Sequence, residues 1–303
     1  MSSRTLAVYR RSWRDAGGIP HDPRDAPRRQ RVVSLVPSLT ESLCAVGGRT
    51  RMAGCTAFCI RPAGLLKDRA VAKVGGTKTV LKEKVLKLKP DLLLLNLEEN
   101  TLEDIAYFKT RVECYINGVR TLEEGLESMR ELAALIGPGP GEALEAADNL
   151  ARQGHALLAA VRARVAQRET RGARRPALFY AIWRDPWMTI NGDTFIHSHL
   201  EACGAKNVFG AETSRYPEVT LEEVSRRAPD AVWLPSEPYR FKPRDAREIS
   251  KLHALPAAQR QRIELVDGDA VCWFGARQLE GTAATYRQLW RKDVNAGPLP
   301  VDF

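Results

Sequence analysis

No apolar run in this chain approaches the roughly 20 residues that a membrane-spanning helix needs, although 44% of its 303 residues are hydrophobic. The composition therefore reads as globular, and no membrane insertion is expected. There is no Gly-x-Ser-x-Gly elbow, no Walker loop and no Gly-x-Gly-x-x-Gly after a strand. Their absence removes the commonest sequence signatures of hydrolases, NTPases and dinucleotide enzymes. The six cysteines form no Cys-x-x-Cys pair and no disulfide-framework spacing, so they read as reduced, mostly core thiols. Histidine is scarce as well. His197 and His199 fall where a helix is expected, and i,i+2 positions on a helix face apart. Cys55 and Cys59 beside a loop could take a soft metal, but no third Cys or His completes the set. No direct metal site is expected. The polar start lacks the apolar core of a secretory signal, which places the protein in the cytoplasm as an expectation.

The formal charge of +9 invites a nucleic-acid reading. Much of the surplus lies in tails and linkers, at Arg10, Arg11, Arg14, Arg24, Arg28, Arg29 and Arg31 and again at Arg171, Arg174 and Arg175. No nucleic-acid motif accompanies it, so no nucleic-acid partner is expected. Residues 1–30 carry Pro20, Pro23 and Pro27 and little periodicity, which predicts a loosely held basic arm.

What the chain does contain is a long helical period. Leu144, Ala147, Leu150, Ala151, Leu157, Leu158, Val161 and Val165 recur every three or four residues, with polar residues between them. Gly137-Pro138-Gly139-Pro140 blocks helix before it and Arg171-Gly172 loosens the chain after it. A connecting helix over 141–170 follows.

The flanks repeat one module. Glu83-Lys84-Val85 precedes Lys89-Pro90-Asp91 and the apolar Leu92–Leu95; Glu222-Glu223-Val224 precedes Ala228-Pro229-Asp230 and Ala231–Leu234. A second pairing lies upstream, with the strands Val32–Val36 and Ala177–Ile182 each leading through a loop into a helix. Ser38 and Glu41 read as a capping box for the first of these helices. Strands alternating with helices predict an α/β fold of two Rossmann-like lobes with mostly parallel sheets. The lobes are expected over 31–140 and 171–303.

Ligands of such sheets sit beyond the carboxyl ends of the strands. Pro37, Ser38, Phe58, Asn96, Glu98, Trp183, Trp187, Tyr239, Trp273 and Phe274 fall there. Few are catalytic types and several are large aromatics, which suits a bulky, partly apolar ligand. Trp233 lies inside an apolar strand and reads as core.

The run Arg31-Val32-Val33-Ser34-Leu35-Val36-Pro37-Ser38-Leu39-Thr40-Glu41, then Val74-Gly75-Gly76, Lys89-Pro90-Asp91, Trp183-Arg184-Asp185-Pro186-Trp187, Tyr216-Pro217-Glu218-Val219-Thr220-Leu221-Glu222 and Trp273-Phe274-Gly275-Ala276-Arg277 resembles the helical-backbone metal receptors. These are two-lobed substrate-binding proteins that pass cobalamin or iron-siderophore chelates to ABC importers, and the likeness is to the cobalamin-binding branch. The resemblance implies two α/β lobes on one rigid helix with the ligand in a cleft. It implies a ligand cradle at Pro37, Ser38, Phe58, Trp187, Tyr216, Trp273 and Phe274, to which the loop position of Trp183 adds one more. It also implies permease-docking glutamates at Glu103 and Glu222, no enzymatic activity, and a corrinoid or other metal chelate as ligand rather than an intrinsic cofactor. A monomer is expected. Gly75-Gly76-Thr77 and Asn96 replace first-lobe tryptophans of the cobalamin receptors. Two other readings stay open: an enzyme acting on a tetrapyrrole or chelate through Glu98, Cys59 or His197, and a module that docks proteins at its lobe tips.

Overall fold

The computed structural model describes residues 12–137 and 141–291. Residues 1–11 of the expected arm, and most of the Gly-Pro breaker before the long helix, lie outside them. The chain divides into two compact units. One runs to Val119 and includes Glu123–Gln153 and Phe274–Arg277; the other takes Arg120–Leu122, Gly154–Trp273 and the chain from Gln278 onward.

Among the described residues, eleven strands occur in chain order: β1 (Trp13–Arg14), β2 (Pro20–His21), β3 (Val32–Ser34), β4 (Met52–Cys55), β5 (Ala72–Lys73), β6 (Leu92–Asn96), β7 (Cys114–Asn117), β8 (Ala177–Tyr180), β9 (Lys206–Asn207), β10 (Ala231–Pro235) and β11 (Ile263–Val266). The α-helices are α1 (Pro37–Ala45), α2 (Lys82–Lys87), α3 (Leu102–Lys109), α4 (Leu122–Ile136), α5 (Glu142–Thr170), α6 (Phe195–Ala202), α7 (Leu221–Arg227), α8 (Pro243–Ser250), α9 (Pro256–Gln259), α10 (Asp269–Cys272) and α11 (Arg277–Leu289).

Each unit holds one parallel sheet, in the order β5-β4-β3-β6-β7 for the first and β11-β10-β8-β9 for the second. The central strands are apolar on both sides because both sides are covered. Leu178 and Tyr180 of β8 join Ala231 and Trp233 of β10 in one core, together with Leu157, Val161 and Val165 of α5. Phe179, Val232 and Leu234 face the opposite core. The 29-residue α5 follows its apolar stripe, and its residues from Gly154 on belong to the second unit.

The repeated Pro-Asp module has one structural job. Asp91 donates its backbone N–H to Arg31 O at 2.8 Å, and its carboxylate accepts from Gln30 N at 3.1 Å and Arg31 N at 2.9 Å. Asp230 donates its N–H to Ala177 O at 2.7 Å, and its carboxylate accepts from Ala177 N at 2.9 Å. Each aspartate thus fastens the amino end of one central strand to that of its neighbour, satisfying backbone groups that strand pairing has not yet reached. The residue before each proline is left-handed as well, Lys89 at φ 48° and Ala228 at φ 47°. That backbone reversal ends the helix and turns the chain into the strand.

Three local expectations are corrected. Residues 12–30 are not a loose arm. Trp13–Arg14 pairs with Pro20–His21, and Ala16 N donates to Ile116 O at 3.1 Å, beside strand β7. Asp15 accepts from the N–H groups of Gly17, Ile19 and Ile116 and lies 3.0 Å from His21 Nε2. Arg29, counted as solvated charge, is buried against Glu113 at 2.7 Å and Leu135 O at 3.1 Å. Long-range polar partners order this segment, and no local period signals them. Second, α1 begins at Pro37 with Val36 as its N-cap, so Ser38 is inside the first turn and caps nothing. Proline at the first helical position is pre-set for helix and needs no donor. Third, the strands expected over Val32–Val36 and Ala177–Ile182 end earlier, at Ser34 and Tyr180.

His199 sits fully buried in α6, with Nδ1 2.9 Å from Val271 O. Burial pushes its pKa down from 6.5 to about 4, against the raising effect of its carbonyl partners. The folded state therefore resists a proton that the unfolded chain accepts. Its contribution is complete above the unfolded value and falls as pH drops toward the folded one. Between about pH 7 and pH 5 the chain should lose about 2 kcal/mol of stability through this group alone. Urea melts at the two pH values measure the loss, and His199→Gln should flatten it. An unchanged pH dependence in that variant would assign the acid sensitivity elsewhere.

Candidate functional site

Both strand orders reverse at a central pair, β3/β6 in the first unit and β8/β10 in the second. Loops leaving the two strands of such a pair run in opposite directions and open a crevice at their carboxyl ends. Among the described residues, Phe58, Ile60, Leu81, Leu97, Leu102, Trp183 and Leu265 are the large hydrophobic side chains left exposed. All but Leu265 lie in connections from a strand to the next helix or at the first residue of that helix. Apolar surface is thus collected along the carboxyl edge of each sheet.

In the first unit, Phe58 (57% exposed) and Ile60 follow β4. A Cβ at Gly76 would stand 3.0 Å from Phe58 Cε2 and 2.8 Å from Thr79 Oγ1, so glycine lets the ring lie over the backbone of the neighbouring turn. Ala57 N ties the two loops by donating to Gly75 O at 2.8 Å. Buried Asn100 joins three segments: it accepts from Asn96 N at 2.9 Å and donates to Thr77 O at 3.1 Å and Leu35 O at 3.4 Å. Asn96, also buried, donates to Asn117 Oδ1 at 3.1 Å and accepts from the N–H groups of Glu98 and Glu99. Glu99 is half-buried beside Lys78 and Glu98, and burial raises its pKa. The two asparagines position loops rather than perform chemistry.

In the second unit the turn 183–188 divides its aromatic residues by role. Ile182 N donates to Met188 O at 2.9 Å and Met188 N to Trp183 O at 3.1 Å, closing the turn. Trp187 points inward and stacks on Phe241 with ring centroids 5.7 Å apart and planes 11° apart. Arg184 is held by Asp245, which is fully buried, and by Glu248 at 2.6 Å. Trp183 is left 44% exposed with its edge against Tyr239, centroids 5.4 Å apart. Tyr239 follows β10 and Trp183 follows β8, so this pair spans the strand-order reversal.

The expected site residues separate on this geometry. Phe58 and Trp183 are presented to solvent. Tyr216 is half-buried with the Arg215 guanidinium 5.7 Å from its ring centroid. Pro37 and Ser38 are buried in the first turn of α1. Trp187, Trp273 and Phe274 are buried at 9%, 4% and 5% exposure. Tyr239 was anticipated only by its place after a strand; Ile60, Leu81, Leu97 and Leu102 were missed because lone aliphatics in loops carry no sequence signal. Of the residues weighed for catalysis, Cys59 is buried, Glu98 is half-buried, and His197 is turned to Asn207 and Glu201 on α6. Among the described residues, no three His, Cys, Asp or Glu side chains converge as a metal site.

Glu103 and Glu222 are both exposed in the first turns of helices capped by threonine, α3 and α7. Glu103 is engaged by Lys82 at 2.6 Å. The repeat gives a different partner for Glu222. In the aligned modules, buried Val85 matches buried Val224 and Asp91 matches Asp230, which sets Glu83, exposed on α2, opposite Glu222.

The fold has known counterparts. A family model described as periplasmic binding protein matches residues 32–270. The vitamin B12-binding protein of Pectobacterium atrosepticum is 31% identical over 208 residues, 67% of this chain and 70% of that one. The vitamin B12-binding protein of Vibrio vulnificus strain YJ016 is 26% identical over 208 residues, 68% of this chain and 71% of that one. Among solved structures, the periplasmic vitamin B12 binding protein BtuF of Vibrio cholerae superposes with a TM-score of 0.72 at 22% identity, over 86% of this chain and 96% of that one. The periplasmic heme-binding protein RhuT from Roseiflexus sp. RS-1 gives 0.70 at 20% identity, over 86% and 99%. The two-lobed α/β architecture is therefore shared, and the relatives are binding proteins rather than enzymes. The same findings overturn the cytoplasmic expectation and point to the periplasm. A polar first stretch says nothing decisive about compartment. Matching of the family model over most of its length, with a B12-binding relative above 30% identity, settles the assignment: the chain belongs to the periplasmic binding protein family.

Proposed function

We propose that this protein binds a metal chelate, foremost a corrinoid, on the carboxyl edges of its two sheets and hands it to an ABC permease. One observation carries the ligand class. The presented side chains, Phe58, Ile60, Leu81, Leu97, Leu102 and Trp183, offer apolar area and no atom able to coordinate a metal. Such a surface suits a chelate whose metal already has its ligands, a corrinoid or a ferric siderophore, over a heme that seeks an axial side chain. Likeness to B12-binding relatives favours the corrinoid. Docking to the permease falls to Glu222 and to Glu83, its counterpart in the repeat, in place of Glu103. The protein works in the periplasm as a monomer.

Titration of the purified protein with cyanocobalamin, dicyanocobinamide, hemin and a ferric siderophore, read by tryptophan fluorescence, tests this. Saturable quenching by a corrinoid is expected. Tighter binding of hemin would overturn the coordination argument, and no response to any chelate would remove the reading.

A further inference from the structure

Cys55 ends β4 and Cys59 lies in the turn that follows, the turn that presents Phe58 and Ile60. Both are free and buried, and the two thiols interact, each shifting the other's protonation. Cys59 Sγ also lies 3.1 Å from Thr40 Oγ1 and 3.2 Å from Thr56 Oγ1. A buried cysteine is usually a small apolar filler, and Cys203 is one. Cys59 is not surrounded like one. Two hydroxyls converge on its sulfur, and although burial pushes its pKa up, hydrogen bonding there brings it below the ordinary thiol value. Thr40 has a further option. Its hydroxyl lies 2.9 Å from Val36 O, so its one proton can serve that carbonyl beside a thiol and turn to the sulfur beside a thiolate.

We propose that Cys55 and Cys59 are a reversible dithiol–disulfide site beneath the Phe58 loop. Its oxidant is a disulfide, small or protein-borne. The Cys59 thiolate attacks one sulfur of that disulfide, forming a mixed disulfide and releasing the other half as a thiolate that takes up a proton. Cys55, losing its own proton, attacks the Cys59 sulfur and releases the second half. Two protein thiols become one disulfide while the external disulfide becomes two thiols. Both sulfurs are covered, so exchange passes through opening of the 56–60 turn. The ring it closes is short and gains little from chain entropy, so the bond stays reducible and acts as a switch rather than a staple. Closure alters the turn that carries Phe58 and Ile60. That consequence for ligand retention rests on the binding reading above; the bond itself does not.

The test equilibrates the full-length protein with oxidised glutathione, alkylates remaining thiols in denaturant, and maps tryptic peptides by mass spectrometry. Met52–Lys67 holds both cysteines between cleavage sites, because trypsin does not cut Arg61 before Pro62. It should be recovered unalkylated and two hydrogens lighter than the dithiol peptide, while Cys203 is alkylated. Dithiothreitol should restore double alkylation. Cys59→Ser should leave Cys55 alkylated, and Cys55→Ser should trap glutathione on Cys59. Double alkylation of the wild-type peptide after oxidation would overturn the proposal without reference to any variant or ligand. So would stable glutathione adducts on both cysteines. In a second arm, the cyanocobalamin dissociation rate should differ several-fold between oxidised and reduced wild type and not in Cys59→Ser. A disulfide that forms with equal rates would sink the switching role alone. No corrinoid binding in either state would sink the ligand reading and leave the disulfide standing.

Discussion

Trp183→Ala should weaken corrinoid binding about tenfold, and Phe58→Ala with Trp183→Ala together about a hundredfold, or about 3 kcal/mol. Each ring offers a large apolar face that is already in water, so removing it changes little in the free protein. Trp183 sets its ring against Tyr239 and is otherwise partly open to water. Phe58 rests over Gly76. The residues belong to different units, so their effects should add. Calorimetric titration with cyanocobalamin measures the loss, and thermal melts should show both variants folded as well as wild type. Trp187→Ala is the contrast. Its ring is stacked on Phe241 in the core, and its removal should cost about 3–4 kcal/mol of stability through the cavity it leaves. If Trp183→Ala binds corrinoid unchanged, the switch-point face of the second unit is not where the ligand rests.

The second large effect concerns stability. Asp230→Ala should destabilise the fold by about 4 kcal/mol. The Asp230 side chain is almost wholly buried, accepts from Ala177 N, and holds Arg174 at 2.7 Å and Arg260 besides. Alanine would leave a buried backbone donor at the start of β8 unmet and release both guanidinium groups. Asp91 does the same task at a half-exposed site, where its carboxylate accepts from two backbone donors. Water can replace part of what Asp91→Ala removes, so that variant should cost only about 1 kcal/mol. Paired urea melts decide the matter, and equal losses would show that the charges at Asp230 contribute nothing beyond the strand clamp.

The architecture was legible because it is carried by periodicity and punctuation. The stripe through Leu157, Val161 and Val165 anticipates α5, and the two Pro-Asp steps mark where helix yields to strand in each lobe. Segment 12–30 was not legible. Its order comes from Asp15 and Arg29 meeting β7 and the carbonyl end of α4, groups roughly a hundred residues away in sequence that no local pattern announces. Exposed apolar side chains do lie in the loops after strands where the candidates were sought, but composition cannot tell a tryptophan that stacks inward, such as Trp187, from one that faces water, such as Trp183. Nor can it tell which of several Thr-Leu-Glu steps repeats across the lobes. Glu103 has the local motif of Glu222, whereas Glu83 has its place in the module.

The aspartate clamps lie at the amino ends of the strands, and the presented aromatics lie at the carboxyl ends. Under the proposed function, cohesion and recognition occupy opposite rims of each sheet. A change of ligand can be written into the loops around Phe58 or Trp183 while the hydrogen bonds of Asp91 and Asp230 stay as they are. One scaffold can then accept many cargoes, because what it holds and what holds it together are drafted on separate margins.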